Sequence, residues 1–234
     1  MEISTFELRP SSIDTHIARV TEQPMNYELA LKNATEIVEL LSPFCNRIEI
    51  AGGVRRHKEN PHDIEIVCIP RVTKTTVQVG LVGDQQFVDE NRLDQCIKDC
   101  LGSGIFELGD LDKAGKKAPS GPRYYRLKYN GQKVDIFTVL PPAQWGVIFL
   151  IRTGNSDFSH WFVQAGWKDG KRVIDGQIVQ NGKALSTPEE KDAFEAMGLQ
   201  WVDPIQRNLE KTKELSSVLE KSSQANLPDK AKFA

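Results

Sequence analysis

The sequence predicts an α/β (α+β) fold: a mixed, partly antiparallel sheet with helices, followed by a smaller α+β module. Three observations carry this. Strand-like runs over 47–50, 63–69 and 133–139 alternate with stretches of helical periodicity. Asn130-Gly131, the pair favoured by a two-residue type I′ turn, stands between strand-like segments over 124–129 and 133–139. After Pro141-Pro142 the character turns helical. The expected divisions are an N-terminal extension over 1–25, a first domain over 26–142, a second over 143–210, and a charged helix with a frayed end over 211–234.

Each element has a local cause. Tyr27, Ala30, Leu31, Ala34, Ile37, Val38 and Leu41 recur at helical spacing, and Ser42-Pro43 ends that helix because proline cannot continue it. Arg47-Ile48-Glu49-Ile50 alternates as a short strand, broken by Gly52-Gly53. Asp63 to Ile69 reads as a second strand, stopped by Pro70. Valine and threonine make 72–80 a further β segment, and 89–102 reads as a helix ending near Gly102. A loop rich in Gly, Lys and Pro covers 110–122, ahead of the Asn130-Gly131 hairpin. Residues 143–152 and 156–166 read as two helices around Thr153-Gly154, and a smaller hairpin carries Asn181-Gly182. Thr187-Pro188-Glu189-Glu190 opens another helix, with threonine as cap and proline at the first position, and Gly198 closes it. A charged helix is expected from beyond Arg207 to about Lys221.

The bulk properties narrow the function. The 234 residues carry a net charge of -2, so a nucleic-acid binder of this balance must concentrate its positive charge locally. No apolar run approaches the roughly 20 residues that cross a bilayer, and the N-terminus lacks a basic start followed by an apolar stretch. No membrane partner is expected. Cys45, Cys68, Cys96 and Cys100 form no C-x-x-C pair, which suits free thiols in a reducing cytoplasm better than a zinc site. A cytoplasmic protein is the expectation; a nucleus is left open, as is the oligomeric state.

The chemistry concentrates in three acids. Asp63 and Glu65 lie two apart on a strand, so both point to one face, roughly 7 Å apart. Asp135 lies in a separate strand, between Val134 and Ile136. If the two strands are neighbours, three carboxylates meet, and three crowded anions need a cation between them. Mg²⁺ prefers oxygen ligands and keeps company with phosphates. Two such ions roughly 3.5–4 Å apart can activate an attacking hydroxyl and shelter a leaving pyrophosphate. Alone, a D-x-E pair reads more simply as two solvated acids on an edge strand. The preceding Ala51-Gly52-Gly53-Val54-Arg55-Arg56 shifts the balance. Its glycines let backbone approach a phosphate, and Arg55 and Arg56 offer bidentate phosphate contacts.

At these residues the chain resembles the family X DNA polymerases, of the DNA polymerase β-like nucleotidyltransferases. GGVRRHKENPHDIEIV is similar to that family's signature of glycines, paired arginines and a D-x-D. Its Gly-Gly version and the histidine before the first acid resemble the template-independent terminal transferase branch. KVDIFTVLPPAQWGVIFLIRTGNSDF resembles the third-carboxylate strand, proline-rich turn and T-G-S junction, and GQIVQNGKALSTPEEKDAFEAMGLQWVDP resembles the end of the thumb. The likeness runs from about Tyr27 to Arg207.

The resemblance implies a palm followed by a thumb, and attack of a DNA 3′-hydroxyl on a dNTP with release of pyrophosphate, in repair or gap filling. It implies Asp63 and Glu65 as ligands of two Mg²⁺ ions, with Mn²⁺ as a substitute, and Asp135 as a ligand of the catalytic one. Gly52, Gly53 and Arg56 would hold the nucleotide phosphates, Thr153 and Gly154 would shape the sugar pocket, and Ser159 would lie near the base. Lys133 stands where the family often has an arginine beside the primer terminus. The partners implied are a primer-template or gapped DNA and a dNTP.

This chain departs from the pattern at four points. Glu65 replaces an aspartate, a change that could favour Mn²⁺. Ile151-Arg152 replaces the Tyr-Phe that gates the sugar, which leaves sugar choice open and sets Arg152 to reach phosphate. Asn155 replaces a serine. About 25 residues precede the palm, too few for the family's lyase and helix-hairpin-helix domains, so a minimal palm-plus-thumb form is expected.

Basic residues cluster without an acid over 113–133: Lys113, Lys116, Lys117, Arg123, Arg126, Lys128 and Lys133, interleaved with Tyr124, Tyr125 and Tyr129. A loop and hairpin of this composition can follow a phosphate backbone, or can equally be a solvated strand face. Alternation sets Arg123, Tyr125 and Leu127 on one face, and Tyr124, Arg126 and Lys128 on the other. Trp145, Trp161 and Phe162 read as core. Two other readings stand beside polymerase: a nucleotidyltransferase for an RNA end, a protein or a small molecule, and a non-catalytic nucleic-acid-binding relative.

Overall fold

Helix α1 (Tyr27–Leu41) starts at Asn26, whose side chain accepts the Leu29 N–H at 2.8 Å. It buries Ala30, Ala34, Ile37 and Leu41, one helical stripe, against a central sheet. The computed structural model describes residues 25–79, 84–110 and 120–208; the N-terminal extension, most of the lysine-rich loop and the expected C-terminal helix lie outside the described residues. The protein is a mixed α+β chain.

The strands of the sheet are β1 (Cys45–Ile50), β2 (Ile64–Pro70), β5 (Glu107–Leu108), β6 (Ser120–Gly121), β7 (Tyr124–Tyr129) and β8 (Gln132–Thr138). Their order is β1-β2-β8-β7-β5, with β6 paired to β7. β2 and β8 run parallel, while β1–β2 and β7–β8 are antiparallel, so the sheet is mixed. Asn130 and Gly131 have φ of 51° and 73°, the signs a type I′ turn requires. Asp175-Gly176 and Asn181-Gly182 repeat these signs in the hairpins of β9 (Lys171–Ile174), β10 (Gln177–Gln180) and β11 (Lys183–Ala184).

Alternation then sorts the sheet into two faces. Ile64, Ile66, Cys68, Tyr125, Leu127, Val134 and Ile136 pack beneath α1 and α3 (Arg92–Gly102). On the other face, Val67, Phe137 and Val139 meet Trp145 and Phe149 of α4 (Trp145–Thr153). Glu65 and Asp135 fall on this second face because they alternate with the first set. α4, α5 (Ser156–Ala165) and α6 (Glu190–Ala196) close a separate core of Val147, Leu150, Phe158, Phe162, Ile178, Phe194 and Met197. Phe162 is buried there and Trp161 packs against it, while Trp145 is buried under the sheet. A Cβ on Gly146 would lie 2.1 Å from the Glu189 carbonyl, so only glycine lets α4 approach α6 this closely.

Several expectations are corrected. Gly52-Gly53 opens a one-turn helix, α2 (Gly52–Arg55), rather than an open turn. β2 begins at Ile64, which leaves Asp63 in the bend before it. The helix expected over 89–102 starts at Arg92, because the Asn91 side chain accepts the N–H groups of Leu93 and Asp94 and caps it there. Residues before that cap form β4 (Asp84–Asn91), which pairs with β3 (Val72–Val79) as a ribbon and was not expected as a strand. Thr187 is not a cap: its N–H and hydroxyl both go to Gln144 Oε1. The helix begins at Glu190, with the Glu189 N–H donated to Asp192 at 2.8 Å. Gly198, with φ of 73°, follows its end as expected. No helix among the described residues is long and apolar enough to cross a membrane.

Candidate active site

Glu65 and Asp135 stand directly opposite each other across the parallel β2–β8 pair. They therefore share one face, and Asp63 precedes Glu65 by two residues. The α2 turn abuts them. Gly52 has φ of 59°, and a Cβ there would lie 1.9 Å from Glu65 Oε2, so the position demands glycine twice over. The Ala51 N–H donates to the Glu65 carbonyl at 2.8 Å, which fixes the turn against the strand.

The electrostatics bind the three acids into one group. Burial, then Asp63, push the Glu65 carboxyl up to about 7, against the pull of Arg56 and Arg152. Burial, then Asp135, raise Asp63, while His62, Arg126 and Arg56 oppose this. Burial lowers the Arg56 guanidinium, and Glu65 and Asp63 counter it. Three acids and three arginines, Arg56, Arg126 and Arg152, thus meet at one place.

The paired arginines of the sequence have different fates. The Arg55 guanidinium is engaged within the fold rather than turned to the acids. It donates to Thr153 Oγ1 at 2.6 Å and grips Glu190 with two bonds of 2.8 and 2.7 Å. Arg207, fully buried, holds the same carboxylate from the other side. This network and the Arg47–Glu189 pair at 2.6 Å tie the sheet domain to α6. Arg56 instead faces the acids and donates to the Thr153 carbonyl. Thr153 is itself fully buried, so it positions both arginines rather than lining a pocket. Gly53 is buried as well.

Two cavities meet at the cluster, and Glu65 and Arg152 line both. The first, about 390 Å³, is walled by Arg123, Tyr124, Arg126, Asp135, Phe137 and Thr138. The second, about 510 Å³, is walled by Arg56, Gly154, Asn155, Ser159 and His160. Arg152 lies over the Phe137 ring at 3.8 Å. The Ser159 hydroxyl donates to the Ile151 carbonyl at 2.7 Å, and Asn155 caps α5 by accepting the Phe158 N–H at 2.8 Å.

The basic hairpin is partly engaged within the fold. Arg123 lies before β7 rather than on one strand face with Tyr125 and Leu127, and lines the first cavity. Arg126 holds Asp135 with two bonds of 3.1 and 3.2 Å. Lys128 pairs with Asp110 at 2.5 Å. Tyr125 donates to Asp94 at 2.6 Å from the core, Tyr129 donates to Glu36 at 3.0 Å, and Tyr124 stacks on Phe137 at 4.8 Å. Lys133 is exposed, two residues before Asp135 on the same strand.

Sequence reasoning missed Arg126 as the partner of Asp135, and Glu190, held by both Arg55 and Arg207, as the link between α2 and α6. The first has a signal: the type I′ turn sets Tyr129 opposite Gln132, and counting back brings Arg126 opposite Asp135.

All-oxygen donors brought to one face of the sheet fit a hard divalent cation in chemistry. They do not yet fit it in position. Among the described residues no three such side chains are close enough to hold a metal, and Arg126 takes both Asp135 oxygens. The four cysteines are buried free thiols. Compared with models of known protein families and with the sequences of curated proteins, the chain matches none significantly.

Proposed function

We propose that this chain is a nucleotidyltransferase of the polymerase kind, which joins a dNTP to a DNA 3′-hydroxyl and releases pyrophosphate in gap filling or repair. The observation that carries this reading is the direct apposition of Glu65 and Asp135 across a parallel strand pair, with Asp63 and the Gly52 turn beside them. The 3′-oxygen attacks the α-phosphorus, and the bond to the β-phosphate oxygen breaks. Two Mg²⁺ ions, when bound, supply charge neutralisation to both oxygens, and Asp63, Glu65 and Asp135 are the residues that would hold them. Arg56 and Arg152 flank Glu65 and set positive charge where a triphosphate's negative charge would lie. Asp135 lines the first cavity, which suits the acceptor strand, beside Arg123 and Arg126. Positioning and charge, rather than a covalent intermediate, do the chemistry.

A second reading keeps the chemistry and changes the acceptor to an RNA end, a protein hydroxyl or a small molecule. It is favoured by the internal use of Lys128, Tyr125 and Tyr129, which leaves less of the hairpin to follow a duplex. One experiment separates the readings. The purified chain is incubated with labelled DNA primer, with and without template, and each dNTP or NTP in Mg²⁺ or Mn²⁺. Primer extension supports the polymerase reading. Labelling of another acceptor alone supports the second. Oligonucleotide binding with no transfer to any acceptor ends both and leaves a non-catalytic binder.

A further inference from the structure

The cleft contains an ion pair for which the transfer reaction has no use. Arg126 lies opposite Asp135 in the β7–β8 register, and its guanidinium covers both carboxylate oxygens at 3.1 and 3.2 Å. The two partners differ in exposure. The Asp135 side chain is 10% exposed and that of Arg126 is 44% exposed. A carboxylate so buried needs a cation or donors, whereas an arginine so exposed can turn outward without a desolvation penalty. Arginine does not leave by losing its proton, since it stays charged in proteins. It leaves only for another anion, and its fork matches a phosphodiester as well as a carboxylate.

We propose that Arg126 is a placeholder cation. It holds Asp135 in the unliganded protein and is drawn off by an acceptor phosphate, so that Asp135 becomes available to a divalent cation only once the acceptor has arrived. This rests on the nucleotidyltransferase reading above and deepens it. The exchange needs only a side-chain rotation, because register already sets the two residues opposite each other and Arg123 marks the same cavity as anion-attracting. Its departure leaves the buried Asp135 carboxylate without its partner cation, so the demand for a cation rises as the acceptor binds. By thermodynamic reciprocity, cation and acceptor each strengthen the other's binding. Arg126 is thus a positioning residue acting through Asp135.

The test is the affinity of the full chain for Mn²⁺ alone, followed by electron paramagnetic resonance of the free ion, with and without a single-stranded oligonucleotide and with no nucleotide present. Wild type is expected to bind Mn²⁺ about 5- to 150-fold more tightly when the oligonucleotide is there, the span usual for coupled sites. Arg126→Gln is expected to bind Mn²⁺ tightly from the outset and to gain less than about twofold from the oligonucleotide. Its oligonucleotide binding should also lose about 0.7 from the slope of log affinity against log salt, a change that a merely structural residue would not produce. Arg126→Lys, which keeps the charge without the fork, should lie between, and decides the matter if the glutamine variant fails to fold. Arg126→Gln binding Mn²⁺ no better than wild type, or keeping the full oligonucleotide response, overturns the placeholder. If wild type meanwhile extends primers, the placeholder alone has failed. If wild type neither extends any primer nor binds Mn²⁺ under any condition, the reading beneath has failed and takes the placeholder with it.

Discussion

The two faces of the central sheet are built from alternate residues of the same strands, yet they are held in opposite ways. Beneath α1 and α3, Ile64, Ile66, Val134 and Ile136 are fully buried in a largely apolar core. One residue away along the chain, Glu65 is half-buried and Asp135 buried, and both carboxylates are set among Arg56, Arg126 and Arg152. The first face is held by apolar burial. The second keeps ionisable groups out of water and holds them by charge pairing. That asymmetry is what separates a scaffold from a site, and it can be probed by exchanging single residues between the two roles.

The largest effect is expected at Asp135. Asp135→Asn should lower nucleotide incorporation by about 10²–10³-fold or more, since several kcal/mol of charge stabilisation depend on it. Binding of dNTP should remain detectable. Primer-extension rates beside equilibrium dNTP titration check this, and incorporation at the wild-type rate would erase the contrast between the faces. Ile136→Ala, its immediate neighbour, should do the converse. It should cost about 2–5 kcal/mol in urea unfolding through a buried cavity, with dNTP affinity unchanged in the fraction still folded.

A third expectation concerns pH. Burial pushes the Glu65 carboxyl up to about 7 in the folded protein, whereas in the unfolded chain it has the ordinary value of 4.5. Over that interval the folded state binds more protons, so stability falls as pH rises, by up to about 3 kcal/mol before solvent screening is allowed for. Glu65→Gln should remove this part of the decline. Melting curves of metal-free wild type and variant between these pH values check the sign. A wild-type profile that rises relative to Glu65→Gln would contradict it. The smallest effect is expected at Lys128, whose pair with Asp110 is exposed on the acid's side. Lys128→Ala should change stability by less than about 1 kcal/mol in the same melts.

Much of this contrast was legible before any coordinates. The apolar flanks of Asp135 and the Asn130-Gly131 turn depend on local rules, and each held, whereas Asp63 falls in the bend before the strand that carries Glu65. What was not legible is tertiary. Arg55 and Arg56 are adjacent and chemically identical, and nothing in their spacing says that one will be taken by Glu190, in a helix far along the chain, and the other left facing the acids. The ribbon of β3 and β4 was read only in its first half, because Asn91 caps a helix at the point where helical periodicity had seemed to begin earlier. The placement of Arg123 depended on where β7 begins, and element ends are set by loop contacts that a periodicity argument does not contain.

Whether acids from two strands converge on one cation-binding point is read most directly by anomalous diffraction from crystals of the chain soaked with Mn²⁺ and a dNTP. Manganese is expected within about 2.0–2.4 Å of carboxylate oxygens of both Glu65 and Asp135, with Arg126 turned away. Manganese bound elsewhere, with Arg126 still seated on Asp135, would rule that convergence out.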